Sequence, residues 1–143
     1  MNIHPLIQTR IASHLYTVTL LHEQEDLLER AHQMASTFLE AFKTGHKVLF
    51  CGNGGSAADA QHLAAEFSGR FYIDRPALPA EALHCNTSYL TAVANDYSYD
   101  VVYSRLVNGI GKPEDILIGL STSGNSQNIV AAMQTAREKN LIT

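Results

Sequence analysis

Apolar residues at Ile7, Ile11, Leu15, Val18 and Leu21 recur every three or four positions and so line one stripe of a helix. A second stripe of Leu27, Leu28, Ala31, Met34, Ala35, Phe38, Leu39 and Phe42 predicts another helix, ended by Gly45. From Lys47 the period changes. Lys47 to Cys51 (KVLFC) is a continuous apolar run of strand length, GNGG breaks it, and Ser56 stands where an N-cap belongs before a helix over Ala57 to Phe67. The same order returns at Asp115 to Leu120 (DILIGL), followed by STSGN and a helix with Ile129, Val130, Met133 and Ala136 on one face. Between the two units, Leu78 to Cys85 predicts a weaker strand. Thr87 to Val107 reads as helical with an interruption near Asn95-Asp96.

Strands alternating with helices predict an α/β fold in which a parallel sheet carries helices on both faces, and ligands in such folds bind beyond the carboxyl ends of the strands. Both glycine- and serine-rich loops fall at such ends. The 143 residues, 45% of them hydrophobic, suffice for one domain with a sizeable core. The expected division is a helical segment over about 1–45 and an α/β core over about 46–143, with Asp74 to Pro79 (DRPALP) as a loop inside the domain.

Charge and composition remove several classes of function. A net charge of −4 gives no basic field to attract a nucleic-acid backbone. No apolar run approaches the ~20 residues that span a bilayer, and the first ten residues lack the apolar stretch of a secretory signal, so a cytoplasmic protein without membrane attachment is expected. Cys51 and Cys85 lie in apolar runs outside any CxxC or Cys/His cluster and are expected as buried small hydrophobes.

Three places carry candidate chemistry. Gly52-Asn53-Gly54-Gly55-Ser56 puts flexible backbone and exposed N–H groups at a helix start; this is either a site for an anionic or polyhydroxylated ligand or a tight strand-to-helix turn. Ser121-Thr122-Ser123-Gly124-Asn125-Ser126 gathers four hydroxyls around a glycine at another helix start. Capping by Ser126 needs one such side chain and not four, which favours phosphate binding. On the first of these helices, His62 and Glu66 are four residues apart and share a face. They form either a metal-ligating or acid/base pair, or a solvent-facing ion pair. Asn95-Asp96 is open to two readings as well, a polar pair near the sheet edge or ordinary turn chemistry. The other histidines, at 4, 14, 22, 32, 46 and 84, are dispersed and read as ordinary surface or satisfied residues.

The run CGNGGSAADAQHLAAEFSGRF, then LTAVANDYSYDVVYSR, then GKPEDILIGLSTSGNS, resembles the sedoheptulose 7-phosphate isomerases (phosphoheptose isomerases) of the sugar-isomerase, or SIS, superfamily. STSGNS marks the superfamily; GNGGS with the downstream HxxxE and the Asn-Asp pair narrows it to this branch. The resemblance implies a three-layer α/β/α sandwich, flavodoxin-like, preceded by N-terminal helices that pack subunits into a homotetramer. It implies conversion of sedoheptulose 7-phosphate to D-glycero-D-manno-heptose 7-phosphate through an enediol, the first step toward the ADP-heptose of lipopolysaccharide. By position, Asn53, Gly54 and Gly55 would contact the sugar, Asn95 and Asp96 its hydroxyls, and Ser121, Thr122, Ser123 and Ser126 the phosphate. His62 and Glu66 match zinc-ligand positions, one zinc per subunit, and Glu66 is also the implied base contacting the substrate.

The family pattern departs from the chain at Glu81, expected apolar, and at Asn86, where the family usually has Asp. It also continues past Ile142 through a strand to a helix whose Gln and His complete the metal site, so the chain is expected to lack the C-terminal part of the domain. Two other readings use the same superfamily: a noncatalytic scaffold that binds the bacterial replication initiator, and a phosphosugar-sensing regulatory module. The scaffold relatives lose the acidic residue at the Glu66 position and the sensing modules need no acid/base pair, so Glu66 with His62 favours the enzyme.

Overall fold

A computed structural model describes residues 4–143. The expected helical segment begins at residue 1, and its residues 1–3 lie outside the described residues. Two helices open the chain, α1 (His4–Glu23) and α2 (Glu25–Lys43), followed by β1 (Val48–Gly52), α3 (Gly55–Ser68), β2 (Ala80–Ala82) and α4 (Thr87–Asp96). A 3-10 turn, Tyr99–Val101, leads into α5 (Val102–Ile110), β3 (Ile116–Leu120) and α6 (Gln127–Glu138). The chain divides into two compact units, Met1–Thr37 and Phe38–Thr143.

In the first unit α1 buries no residue, and Ile7, Ile11, Leu15 and Val18 are all exposed. The α1 stripe forms a helix without a core of its own. Glu25 and Asp26 favour the start of α2 by meeting the positive end of its dipole. The end of α2 lies in the second unit and follows the Schellman pattern: Gly45 takes φ +84°, His46 N–H donates to Ala41 O at 2.8 Å and Gly45 N–H to Phe42 O at 3.3 Å.

The second unit is a parallel three-stranded sheet in the order β2-β1-β3. Every residue of β1 is buried, as expected for a central parallel strand covered on both faces. Side-chain alternation sends Leu49 and Cys51 into one core with Val93, Val102, Val107, Leu117, Ile129 and Ala132. It sends Val48 and Phe50 into the other with Ala41, Ala60, Ala64 and Ile116. On this second face Phe67 stacks on Phe50 at 6.1 Å and meets Phe38 edge-on at 5.6 Å, joining the end of α2 to α3 over the strand. The result is the expected three-layer α/β/α arrangement. Beyond β3, Ile142 pairs in parallel with Ile116 through Ile142 N–H to Asp115 O at 2.9 Å and Leu117 N–H to Ile142 O at 2.8 Å.

Several expectations are corrected. Ser56 is not the N-cap of α3: Gly54 holds that position, with φ +56°, and Ser56 lies in the first turn. The helix starts early because Ala57 and Ala58 N–H both bond Gly54 O. The strand predicted over Leu78 to Cys85 contracts to three residues, since Pro79 has no N–H to pair and the chain turns after Ala82. Glu81 is exposed there on a sheet edge, where a charge costs little. Cys85 is exposed in the turn, contrary to its expected burial, while Cys51 is buried. The helical break falls at Tyr97-Ser98, so Asn95-Asp96 closes α4. Asn86 caps α4 by accepting from Tyr89 N–H at 3.0 Å, so the local hydrogen bonding at this position is satisfied by the amide.

Opposite the loop end of the sheet, Asp115 ties β3 to β1. Its carboxylate is 2% exposed and accepts from Lys47 Nζ, from Lys47 N–H at 3.1 Å and from Lys112 N–H at 2.9 Å. His46, expected as an ordinary surface or satisfied residue, is partly buried, with Nδ1 3.7 Å from Asp115 and Nε2 3.4 Å from Glu114. Burial pushes the Asp115 pKa up, but the Lys47 side-chain bond, the two backbone N–H groups and the lysine charge outweigh it and hold the carboxyl below its usual range. Asp115→Ala, which strands Lys47 and two backbone donors, should destabilise the fold by about 3 kcal/mol at pH 7 in urea denaturation. A carboxyl with a depressed folded pKa contributes its stability above its unfolded value and loses it as pH falls through the folded one. The gap between parent and variant should therefore narrow only below about pH 4.

Candidate functional site

Parallel pairing of β1 with β3, from Val48↔Ile116 to Gly52↔Leu120, makes both strands end at the same edge. The loops 52–56 and 121–126 leave from that edge side by side. A Cβ on Gly52 would lie 2.4 Å from Ser56 O, so only glycine allows the first turn of α3 to fold back against the strand end. Tyr103, buried on α5, donates its hydroxyl to Gly52 O at 2.5 Å and pins the loop from below. Burial and the neighbouring Tyr99 both push the Tyr103 pKa up, so it stays a neutral donor.

The second loop holds its hydroxyls close together. Ser121 Oγ lies 3.2 Å from Ser126 Oγ and 3.5 Å from Ser123 Oγ, and it accepts from Gly124 N–H at 3.2 Å. Ser123 Oγ accepts from Asn125 N–H at 3.2 Å, and Thr122 is exposed beside it. Gly124 takes φ +68°, which closes the turn. Ser126 occupies the N-cap position of α6, yet its side chain makes no capping bond. Its hydroxyl joins the serine cluster instead, and the first N–H groups of a twelve-residue helix open onto that cluster. Ser121 and Gly124 also edge a cleft lined by Ile129, Met133 and Arg137.

Asn53 links the two loops. Its carboxamide pairs reciprocally with that of Asn128 on α6, both bonds 2.9 Å, and its Oδ1 also accepts from the Tyr99 hydroxyl at 3.2 Å. Asn128 is 3% exposed. Sequence reasoning missed Asn128, Tyr99 and Tyr103, because an amide two residues after a cap serine reads as a solvated first-turn residue and both tyrosines read as helix surface.

His62 and Glu66 do share a face of α3, with Nε2 3.5 Å from Oε1. His62 is largely exposed, while Glu66 is about two-thirds covered. They line an apolar cleft with Leu63, Phe67, Phe71 and Leu78. Arg75, also missed, closes the end of α3 by donating to Glu66 O and Phe67 O, each at 2.8 Å. An imidazole and a carboxylate on one helical turn suit two positions of a metal site, and among the described residues no group of three or more His, Cys, Asp or Glu side chains is placed to hold a metal ion. Asn95 Nδ2 donates to Asp96 Oδ1 at 3.0 Å, and both side chains are exposed on the last turn of α4. Of the remaining candidates, burial pushes the Cys51 thiol up to about 12, which removes it as a nucleophile. His84, at the end of β2, has a buried Nδ1 without a hydrogen bond, and burial lowers its pKa.

A family model described as the SIS domain matches residues 13–143. The chain belongs to the SIS domain family. Relatives named as phosphoheptose isomerases include one from Clostridium acetobutylicum, 47% identical over 137 residues, covering 96% of this chain and 70% of the relative. One from Akkermansia muciniphila is 57% identical over 111 residues, covering 78% and 59%. The phosphoheptose isomerase GmhA from Neisseria gonorrhoeae superposes with a TM-score of 0.81 at 43% identity, covering 94% of this chain and 71% of that one. A phosphoheptose isomerase from Francisella tularensis gives 0.93 at 31% identity, covering 99% and 73%. The chain spans between 54% and 59% of the length of three of the curated relatives it matches. No helix among the described residues is long and apolar enough to cross a membrane.

The close fit at Gly52 yields a direct test of the loop geometry. Gly52→Ala should lower stability by about 2 kcal/mol through overpacking against the α3 backbone, read as a lowered thermal midpoint.

Proposed function

We propose that the chain carries the phosphosugar cradle and the proton-transferring carboxylate of a phosphoheptose isomerase. The reaction converts sedoheptulose 7-phosphate to D-glycero-D-manno-heptose 7-phosphate, and with it begins ADP-heptose synthesis for lipopolysaccharide. The observation that carries this reading is the hydroxyl cluster at the start of α6, joined through Asn53 to the glycine loop of α3. Ser121, Thr122, Ser123 and Ser126 take the phosphate oxygens, with the helix N-terminus supplying partial positive charge. Asn53 and the backbone of Gly54 and Gly55 take the sugar, and Asn95 and Asp96 its hydroxyls. Phosphate binding remote from the reacting carbons fixes the sugar for the chemistry.

Ketose-to-aldose exchange removes a proton from the carbon beside the carbonyl and returns one to the former carbonyl carbon. Glu66 is the carboxylate for that transfer, covered enough to act away from bulk water and aimed into a cleft. His62 and Glu66 would hold one zinc ion per subunit together with further ligands outside this pair; bound there, zinc supplies a Lewis acid for the sugar oxygens. The exposed apolar side chains of α1 and α2 support assembly with further copies of the chain, as a homotetramer. A cytoplasmic location follows from this reading, as a step on a phosphorylated sugar.

Turnover of sedoheptulose 7-phosphate by the full-length protein, with and without a chelator, tests the reading directly. Glu66→Gln keeps the shape and loses the base; kcat should fall by about a hundredfold or more with an unchanged circular-dichroism spectrum, and turnover at the parent rate removes Glu66 from the proton transfer. Replacing Ser121 and Ser123 together by Ala should weaken phosphosugar binding by about 1.5–3 kcal/mol per lost bond to a charged partner in titration calorimetry, whereas unchanged affinity moves the phosphate elsewhere.

A further inference from the structure

The Asn53–Asn128 pair restricts what Asn53 can offer a ligand. A carboxamide oxygen has two lone pairs and its nitrogen two N–H groups. Asn53 Oδ1 accepts from Asn128 Nδ2 and from the Tyr99 hydroxyl, and Asn53 Nδ2 donates to Asn128 Oδ1. Both acceptor positions and one donor are spent. One N–H remains.

We propose that Asn128, with Tyr99, is a positioning residue that holds the Asn53 carboxamide so that it presents one N–H and no acceptor to the sugar, making Asn53 the donor to the oxygen that turns negative in the enediol step. The proposal rests on the isomerase reading of the same site. A free carboxamide rotates and presents its oxygen as readily as its nitrogen, and an oxygen facing a developing oxyanion repels it. The reciprocal pair removes that rotation, and burial of Asn128 at 3% exposure keeps water from competing for it. The backbone just before Asn53 is held as well, since Tyr103 donates to Gly52 O and Gly52 packs against Ser56. A donor fixed in advance gains strength as charge develops on its partner, so it favours the enediolate over the neutral sugar.

The test compares two ligands in the full-length protein: sedoheptulose 7-phosphate and a sugar-phosphate hydroxamate, a planar anionic mimic of the enediolate. Asn128→Ala should lower kcat and hydroxamate affinity by about a hundredfold, with KM within about threefold of the parent. Tyr99→Phe, which removes one exposed hydroxyl and leaves the reciprocal amide pair intact, should shift both in the same direction by about tenfold. Equal losses for hydroxamate and substrate, or a lowered thermal midpoint with kcat unchanged, would overturn the proposal. If the parent neither turns over the substrate nor prefers the hydroxamate, the isomerase reading fails and takes the donor role with it. The positioning role is then read from the Asn53 side-chain amide protons by NMR. Slow exchange in the parent and fast exchange in Asn128→Ala supports positioning, and equally fast exchange in both overturns it.

Discussion

Parallel pairing of β1 and β3 is the constraint on which the site depends. Five residues of each strand are in register, so the two chain segments that carry glycine and serine leave the sheet at the same edge and in the same direction. In an antiparallel pair they would lie at opposite ends. The register is held by burial on both faces of β1, where a one-residue slip would exchange Val48 and Phe50 with Leu49 and Cys51 between two differently shaped cores. At the opposite end of the sheet, Asp115 and Lys47 join the starts of the same two strands. A buried carboxylate with three donors tolerates little displacement, so the pair contributes to register as well as to stability.

From that edge the site is assembled with little formal charge. The cradle proposed for the phosphate consists of hydroxyls and helix N–H groups, and the cluster is already bonded within itself at 3.2–3.5 Å. Such donors need little reorganisation when an anion arrives, which lowers the cost of ordering the loop. On the proposed sugar side, the Asn53 amide is held in the same manner by Asn128 and Tyr99. On α3, Glu66, proposed as the base, lies in an apolar cleft beside Phe67 and Phe71, surroundings that would keep bulk water from a proton transfer. Arg75 fastens the end of that helix through two carbonyls, so the side chain proposed as base is carried on a backbone fixed at both ends.

The chain alone determined the fold class, the order of elements and the two loops. Periodicity fixes which residues share a face of a helix or strand, and glycine and serine at strand ends are local signals that need no knowledge of distant contacts. The i,i+4 spacing of His62 and Glu66 sufficed to place them on one face, because helical geometry is local. Tertiary structure decided the rest. Gly54 replaced Ser56 at the cap because Ala57 and Ala58 N–H both bond Gly54 O, which starts the helix early. Cys85 became exposed because the edge strand ends after Ala82. The partners of Asn53 could not be read from the chain, since Asn128 lies 75 residues away and Tyr99 46. A hydrogen bond between residues so distant in sequence leaves no periodic trace, and only the alignment of two strand ends brings those side chains within reach of one another.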